Sequence, residues 1–159
     1  MRVLGIDPGF GRLGIGIIDV EKGNEIYLYS ECFETNPKDT FHTRLKFIGE
    51  KIDSLCKKWL PDAASVETLF FEKNQKTAMH VAEARGVIVY ELLQNLVSVF
   101  EYSPLQVKMA LTGFGKAEKS QVAFMVEKIL HLETRTRIDD ELDALALAIT
   151  HSSSSRRTH

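Results

Sequence analysis

Only two cysteines, Cys32 and Cys56, occur in the 159 residues, far apart and without a neighbouring thiol. Neither a disulfide framework nor a thiolate zinc motif can be built from them, and both read as reduced and structural. The five histidines are scattered, with no pair at i, i+4, which argues against a histidine-based metal centre. No apolar stretch reaches the roughly 20 residues a membrane helix needs, and Met1-Arg2-Val3-Leu4-Gly5 enters a strand pattern rather than a signal peptide. The expectation is a protein without a membrane span, with the cytoplasm as its default address.

Positive charge is not in excess either. Lys and Arg number 20 against 22 Asp and Glu, a formal net charge of −2. Nucleic-acid affinity usually rests on Lys and Arg neutralising phosphates, so this total counts against a nucleic-acid partner. It counts less if four of the acids hold two divalent cations, which would bring the loaded protein to about +2.

What is present is a core. With 44% hydrophobic and 26% charged residues, the chain suits one substantial domain, read as residues 1–151, followed by a polar, disordered tail at 152–159. Val3, Leu4 and Ile6 form a short strand closed by Asp7-Pro8-Gly9, and Leu13 to Val20 resumes as a second. A turn at Glu21-Lys22-Gly23-Asn24 leads to a third strand through Ile26, Leu28, Cys32 and Phe33. Phe41, Leu45, Ile48, Ile52, Leu55 and Trp59 recur at helical spacing until Pro61. Ala63 to Phe70 then reads as a strand reached by helical crossover, hence parallel to the first. The helix expected from Lys76 to Val97 is apolar on more than one face and needs two partners, the sheet and a second protomer. Val99 to Tyr102 supplies a fifth strand, Pro104 opens a short helix, and Gly113-Phe114-Gly115 breaks the chain before a helix through Val122, Val126, Ile129 and Leu130. A last helix spans about Asp139 to His151.

The chemistry lies in four acids. Asp7 and Glu67 close strands expected to be parallel neighbours, so their carboxylates can meet at one sheet edge. Asp140 and Asp143, at i, i+3, share one helix face. Four clustered carboxylates repel, and Mg²⁺ or Mn²⁺ relieves that repulsion; a pair of such ions can drive in-line phosphoryl displacement by water. Taken singly, each acid admits a plainer reading, as a turn, a solvent-facing side chain or a helix-start acid. Gly9-x-Gly11-x-x-Gly14 spells the dinucleotide fingerprint, but it connects strand to strand, which rules that function out. Gly115-Lys116-Ala117 likewise lacks the spacing and hydroxyl of a phosphate-binding loop.

The order of Gly5-Ile6-Asp7-Pro8-Gly9, Val66-Glu67, Ala84-Arg85-Gly86-Val87, Phe100-Glu101-Tyr102, Gln106-Val107-Lys108, Ala117-Glu118-Lys119-Ser120-Gln121-Val122 and Asp143-Ala144-Leu145-Ala146 resembles the RuvC family of Holliday-junction endonucleases. The likeness runs from about Leu4 to His151. It implies an α/β, RNase H-like fold, a five-stranded mixed sheet flanked by helices. It further implies Asp7, Glu67, Asp140 and Asp143 as ligands of two Mg²⁺ per site, with Mn²⁺ as a substitute, and a homodimer that nicks four-way DNA junctions symmetrically beside the branch-migration proteins RuvA and RuvB. Lys108 and Lys119 match lysines set near the scissile phosphate, and Phe70 an aromatic that stacks on an unpaired base, work Phe71 can share. Lys73, Lys76, Arg85 and Arg12 are looser phosphate contacts. The rival readings are a junction-binding architectural protein without cleavage and an actin-like-fold phosphotransferase, whose first phosphate motif Gly5 to Gly9 also resembles.

Overall fold

The computed structural model describes residues 1–68, 75–132 and 138–155, with the backbone alone at 75 and 76. Five strands, β1 (Arg2–Asp7), β2 (Arg12–Glu21), β3 (Asn24–Glu34), β4 (Ala63–Glu67) and β5 (Ser98–Tyr102), form one mixed sheet in the order β3-β2-β1-β4-β5. The first three make the expected antiparallel meander, and β4 lies parallel to both β1 and β5. The helices are α1 (Phe41–Trp59), α2 (Gln75–Gln94), α3 (Pro104–Thr112), α4 (Lys119–Ile129) and α5 (Asp139–Ser155). Among the described residues, no helix is long and apolar enough to cross a membrane.

Strand alternation divides the interior into two cores. Leu4, Ile6, Ala64 and Val66 join the core shared with Ile48 and Ile52 of α1 and Ile88 of α2. Val3 and Ile18 join the other, with Val107 of α3, Val126 of α4 and Leu145 of α5. Helix α5 lies directly on β1 and β2 because the strands present glycine there. Gly5 and Gly16 face each other in register. A Cβ on Gly5 would fall 1.9 Å from the carbonyl oxygen of Ala144, and one on Gly16 would fall 2.8 Å from the backbone nitrogen of Leu145. Side chains at these positions would lift the helix off the sheet.

The local stop and start signals act as their chemistry requires. Thr40 caps α1 by accepting from the Thr43 amide, Ser103 and Gln106 form a reciprocal capping box on α3, and Gly113 ends α3 at φ 71°. Leu96, at φ 60°, ends α2 earlier than the hydrophobic pattern suggests, and the Val97 amide turns back to the Leu92 carbonyl. Two expectations need correction. Strand β4 closes at Glu67 rather than continuing to Phe70; Thr68 donates its amide to Tyr102, and residues 69–74 lie outside the described residues. The tail is not frayed from 152 onward, because α5 runs to Ser155. Its hydroxyls bond within the helix, Thr150 to the Ala146 carbonyl at 2.8 Å and Ser154 to Thr150 at 2.9 Å, while buried Ser152 donates to Glu25 at 2.8 Å. Residues 156–159 lie outside the described residues.

Candidate metal centre and its surroundings

The same alternation that buries Leu4 and Ile6 on the α1 side turns Asp7 to the α5 side, with Val3 and Gly5. On β4, Ala64 and Val66 face α1, so Ser65 and Glu67 face α5, and the Ser65 hydroxyl donates to the Leu147 carbonyl of that helix at 2.7 Å. Val66 is paired with Ile6 in the parallel ladder, which places Asp7 and Glu67 side by side one residue further on. The two carboxyls act on each other: Glu67 raises the Asp7 carboxyl, and Asp7 opposes the rise of Glu67. The first turns of α5 reach them over Gly14, where a Cβ would lie 2.1 Å from the Asp140 carbonyl oxygen and 3.1 Å from the Asp7 Cβ.

Four acids from three distant segments thus gather at the carboxyl ends of β1 and β4. Burial, then the charges of Glu67, Asp143 and Asp140, pushes the Asp7 carboxyl up to about 8. Burial also raises Glu67 and Asp143, although the Lys119 ammonium opposes both shifts. Lys119 itself, at the start of α4, is 2.7 Å from Asp143 Oδ2 and 3.7 Å from Asp139 Oδ2. Burial lowers the Lys119 pKa, but its carboxylate neighbours outweigh that and leave it raised. Lys108 and Lys119 line a cavity of about 290 Å³ together with Glu67 and Asp143, between α3, α4 and α5.

As placed, no three of the described Asp, Glu, His or Cys side chains converge closely enough to hold one ion. The reason is visible in the pairing. Asp143 is turned to Lys119, and Asp140 Oδ2 is 3.2 Å from Arg12 Nη2 and accepts from the Cys32 thiol at 3.6 Å. The donor set nevertheless fits a hard divalent cation. It is made of carboxylate oxygens, and a dication would offset both the burial and the acid–acid repulsion that together drive Asp7 to about 8.

Of the looser contact residues, Arg12 belongs to this acidic pole. Arg85 does not: its guanidinium is 2.5 Å from Glu101 of β5 and is only 21% exposed. Phe70, Phe71 and Lys73 lie outside the described residues, as does the side chain of Lys76. His151 is a buried structural residue, its Nδ1 2.9 Å from the Tyr102 hydroxyl and its ring 4.3 Å from that of Phe100. Sequence reasoning missed two neighbours of the site. Cys32, read as merely structural, touches Asp140 because it pairs with Gly14 across β2 and β3. Gly5, Gly14 and Gly16, of which only Gly14 belongs to the Gly9-x-Gly11-x-x-Gly14 motif weighed above, are the seat of α5; their alternate spacing on strands was the available signal.

The chain matches the family described as crossover junction endodeoxyribonuclease RuvC over residues 3–151. A relative of that description from Fusobacterium nucleatum is 44% identical over 154 residues, covering 97% of this chain and 81% of the relative. Among solved structures, Thermus thermophilus RuvC superposes with a TM-score of 0.92 at 37% identity, covering 99% of this chain and 97% of that one. T. thermophilus RuvC in complex with Holliday junction substrate superposes with a TM-score of 0.94 at 35% identity, covering 99% and 96%. The five-stranded mixed sheet flanked by helices is the RNase H-like fold.

Proposed function

From the premise that this chain belongs to the RuvC family of crossover junction endodeoxyribonucleases, we propose that Asp7, Glu67, Asp140 and Asp143 are the groups with which it cleaves Holliday junctions. Resolution of four-way DNA junctions by divalent-metal-dependent hydrolysis is its activity; the rival readings as an architectural protein or a phosphotransferase are not favoured. The observation that carries the residue assignment is the meeting of acids from β1, β4 and α5 at one sheet edge, with an Asp7 carboxyl pushed up to about 8.

Two Mg²⁺ ions, for which Mn²⁺ substitutes, fit this donor set and would supply Lewis acidity for the attacking water and the departing oxygen. The chain's own groups do the rest. Asp7 and Glu67, fixed by the parallel ladder, are the rigid half of the site; Asp140 and Asp143 ride on α5 and complete it. Lys119 and Lys108 present ammonium groups toward the cavity that Glu67 and Asp143 share, where they offset charge on the nonbridging oxygens of the reacting phosphate. The products are 5′-phosphate and 3′-hydroxyl ends. Phe70, with Phe71, is assigned to base stacking, and Lys73, Lys76 and Arg12 to phosphate contacts; Arg85, paired with Glu101, is the weakest of these assignments.

Symmetric cutting needs two sites, and α2 supplies a surface for a homodimer. Met79, Tyr90 and Leu93 are 64%, 59% and 56% exposed and share one helical face with Gly86, where a Cβ would meet nothing within 4 Å. Tyr90→Glu with Leu93→Glu is expected to yield monomer in sedimentation and to uncouple the paired nicks. RuvA and RuvB as partners follow from family membership alone. Residues 1–151 are taken as one nuclease domain. The assignment of the acids is tested by Asp7→Asn, which should abolish cleavage of a labelled junction while retaining junction binding; cleavage at the wild-type rate would remove Asp7 from the mechanism.

A further inference from the structure

We propose that Arg12 is a positioning residue that holds Asp140 out of the metal site until a DNA phosphate draws its guanidinium away, so that junction binding and divalent-ion binding are coupled through this one side chain. The inference rests on the reading of the four acids as the ion-holding set.

Arg12 opens β2 and is paired in register with Glu34 at the end of edge strand β3. Its guanidinium spans two elements, with Nε 3.4 Å from Glu34 Oε1 and Nη2 3.2 Å from Asp140 Oδ2. The same Asp140 oxygen accepts from the Cys32 thiol at 3.6 Å. Cys32 is paired with Gly14, the glycine over which the Asp140 backbone passes. Asp140 therefore sits in a niche made by Arg12, Gly14 and Cys32, and its Oδ2 is committed to that niche. This commitment is part of why no three described ligand-type side chains converge on one point. For Asp140 to join Asp7 around an ion, it must give up the guanidinium.

Among the described residues, the packing leaves that exchange open. The Arg12 side chain is 51% exposed, so a phosphate oxygen can reach it from solvent without moving the core. Half-exposed ion pairs are weak, whereas a guanidinium binds phosphate through parallel hydrogen bonds with a well-matched geometry. Lys119 is no less exposed, at 57%, but it lines the cavity that Glu67 and Asp143 share and is paired with Asp143 at 2.7 Å. A phosphate that takes Arg12 leaves Asp140 without its cation next to three other acids, an arrangement a dication stabilises. Linkage makes the effect reciprocal: whatever factor the junction adds to ion affinity, the ion adds to junction affinity.

The test measures Mn²⁺ binding by electron paramagnetic resonance, counting free ion, for the wild type, Arg12→Ala and Arg12→Lys. Each is titrated alone and with a synthetic four-way junction carrying uncleavable linkages at the nick sites, and thermal melts check that each variant is folded. Without DNA, Arg12→Ala should bind Mn²⁺ about three- to tenfold more tightly than the wild type, since Asp140 is already free. The factor by which the junction tightens Mn²⁺ binding should shrink by a similar amount. Arg12→Lys keeps the charge, but a single ammonium cannot hold Glu34 and Asp140 together, so it should fall between the two or match the alanine variant. Unchanged or weaker Mn²⁺ binding in Arg12→Ala would overturn the proposal. So would wild-type behaviour in Arg12→Lys, which would reduce the effect to net charge. Asp7→Asn is the separate control: Mn²⁺ binding as tight as the wild type in that variant would sink the four-acid reading itself, whatever Arg12 does.

Discussion

The two ends of strand β1 treat charge in opposite ways. At its start, Arg2 donates Nε to Asp19 Oδ1 at 2.9 Å and Nη2 to Asp19 Oδ2 at 2.8 Å, its Nη1 bonds the Trp59 carbonyl at 2.6 Å, and its backbone amide bonds Asp62 at 2.6 Å. The Arg2 hydrogen bond holds Asp19 below the usual carboxylate range. At its other end, half-buried Asp7 lies beside three other acids, and burial together with their charges drives its carboxyl up to about 8. One end matches Asp19 to a guanidinium; the other gathers four acids against two cations, Arg12 and Lys119, and so carries an excess of acid. Uncompensated charge costs stability, so its presence at the carboxyl edge of a parallel strand pair marks a place built to receive something positive.

The sharpest way to break this contrast is chemical. Asp7→Asn should remove junction cleavage altogether while Asp19→Asn leaves it near the wild-type rate, both read by nicking of a labelled junction in Mg²⁺. Next in size is Lys119→Ala, which should slow the cleavage step about 100-fold with junction affinity changed far less, as measured by single-turnover kinetics.

Stability should then move in opposite directions at the two ends. In EDTA, Asp7→Asn is expected to stabilise the fold by on the order of 1–2 kcal/mol at alkaline pH. The sign follows from the raised carboxyl: with an ordinary value of 3.8 and a folded value near 8, its favourable contribution is complete below about pH 4 and is lost as pH rises through 8. The melting-temperature gain of the asparagine variant should therefore be near zero at pH 4 and largest above pH 8. Asp19→Asn should cost about 0.5–1 kcal/mol at neutral pH, the worth of a partly exposed bidentate pair. Its folded value is lowered, so that stabilisation is present above the ordinary value of 3.8 and fades as pH falls through the folded value. Equal signs for the two variants at pH 8 would erase the comparison.

Much of the acidic end was legible in the sequence because strand parity is a local rule. Once Leu4, Ile6, Ala64 and Val66 are given to one core, Asp7 and Glu67 have only the other face available, and i, i+3 spacing aligns Asp140 with Asp143. The helix stripe from Phe41 to Trp59 and the opening of α3 at Pro104 followed the same local logic. What was not legible depended on distant backbone meeting backbone. That Gly5, Gly14 and Gly16 seat α5 is a property of three elements at once, and the pairing of Arg12 with Asp140 needs the β3 edge as well. The serine-rich end of α5 misled for a different reason: its polarity suggested solvent, whereas the hydroxyls bond the helix's own carbonyls and Ser152 finds Glu25.

The most direct test is cleavage of a synthetic mobile four-way junction beside linear duplex of the same sequence, with nick sites mapped for the wild type and Asp7→Asn in Mg²⁺ and in EDTA. Paired symmetric nicks confined to the junction, present only for the wild type in Mg²⁺, are the expected result. Cleavage that persists in EDTA or in the Asp7→Asn variant would contradict the account.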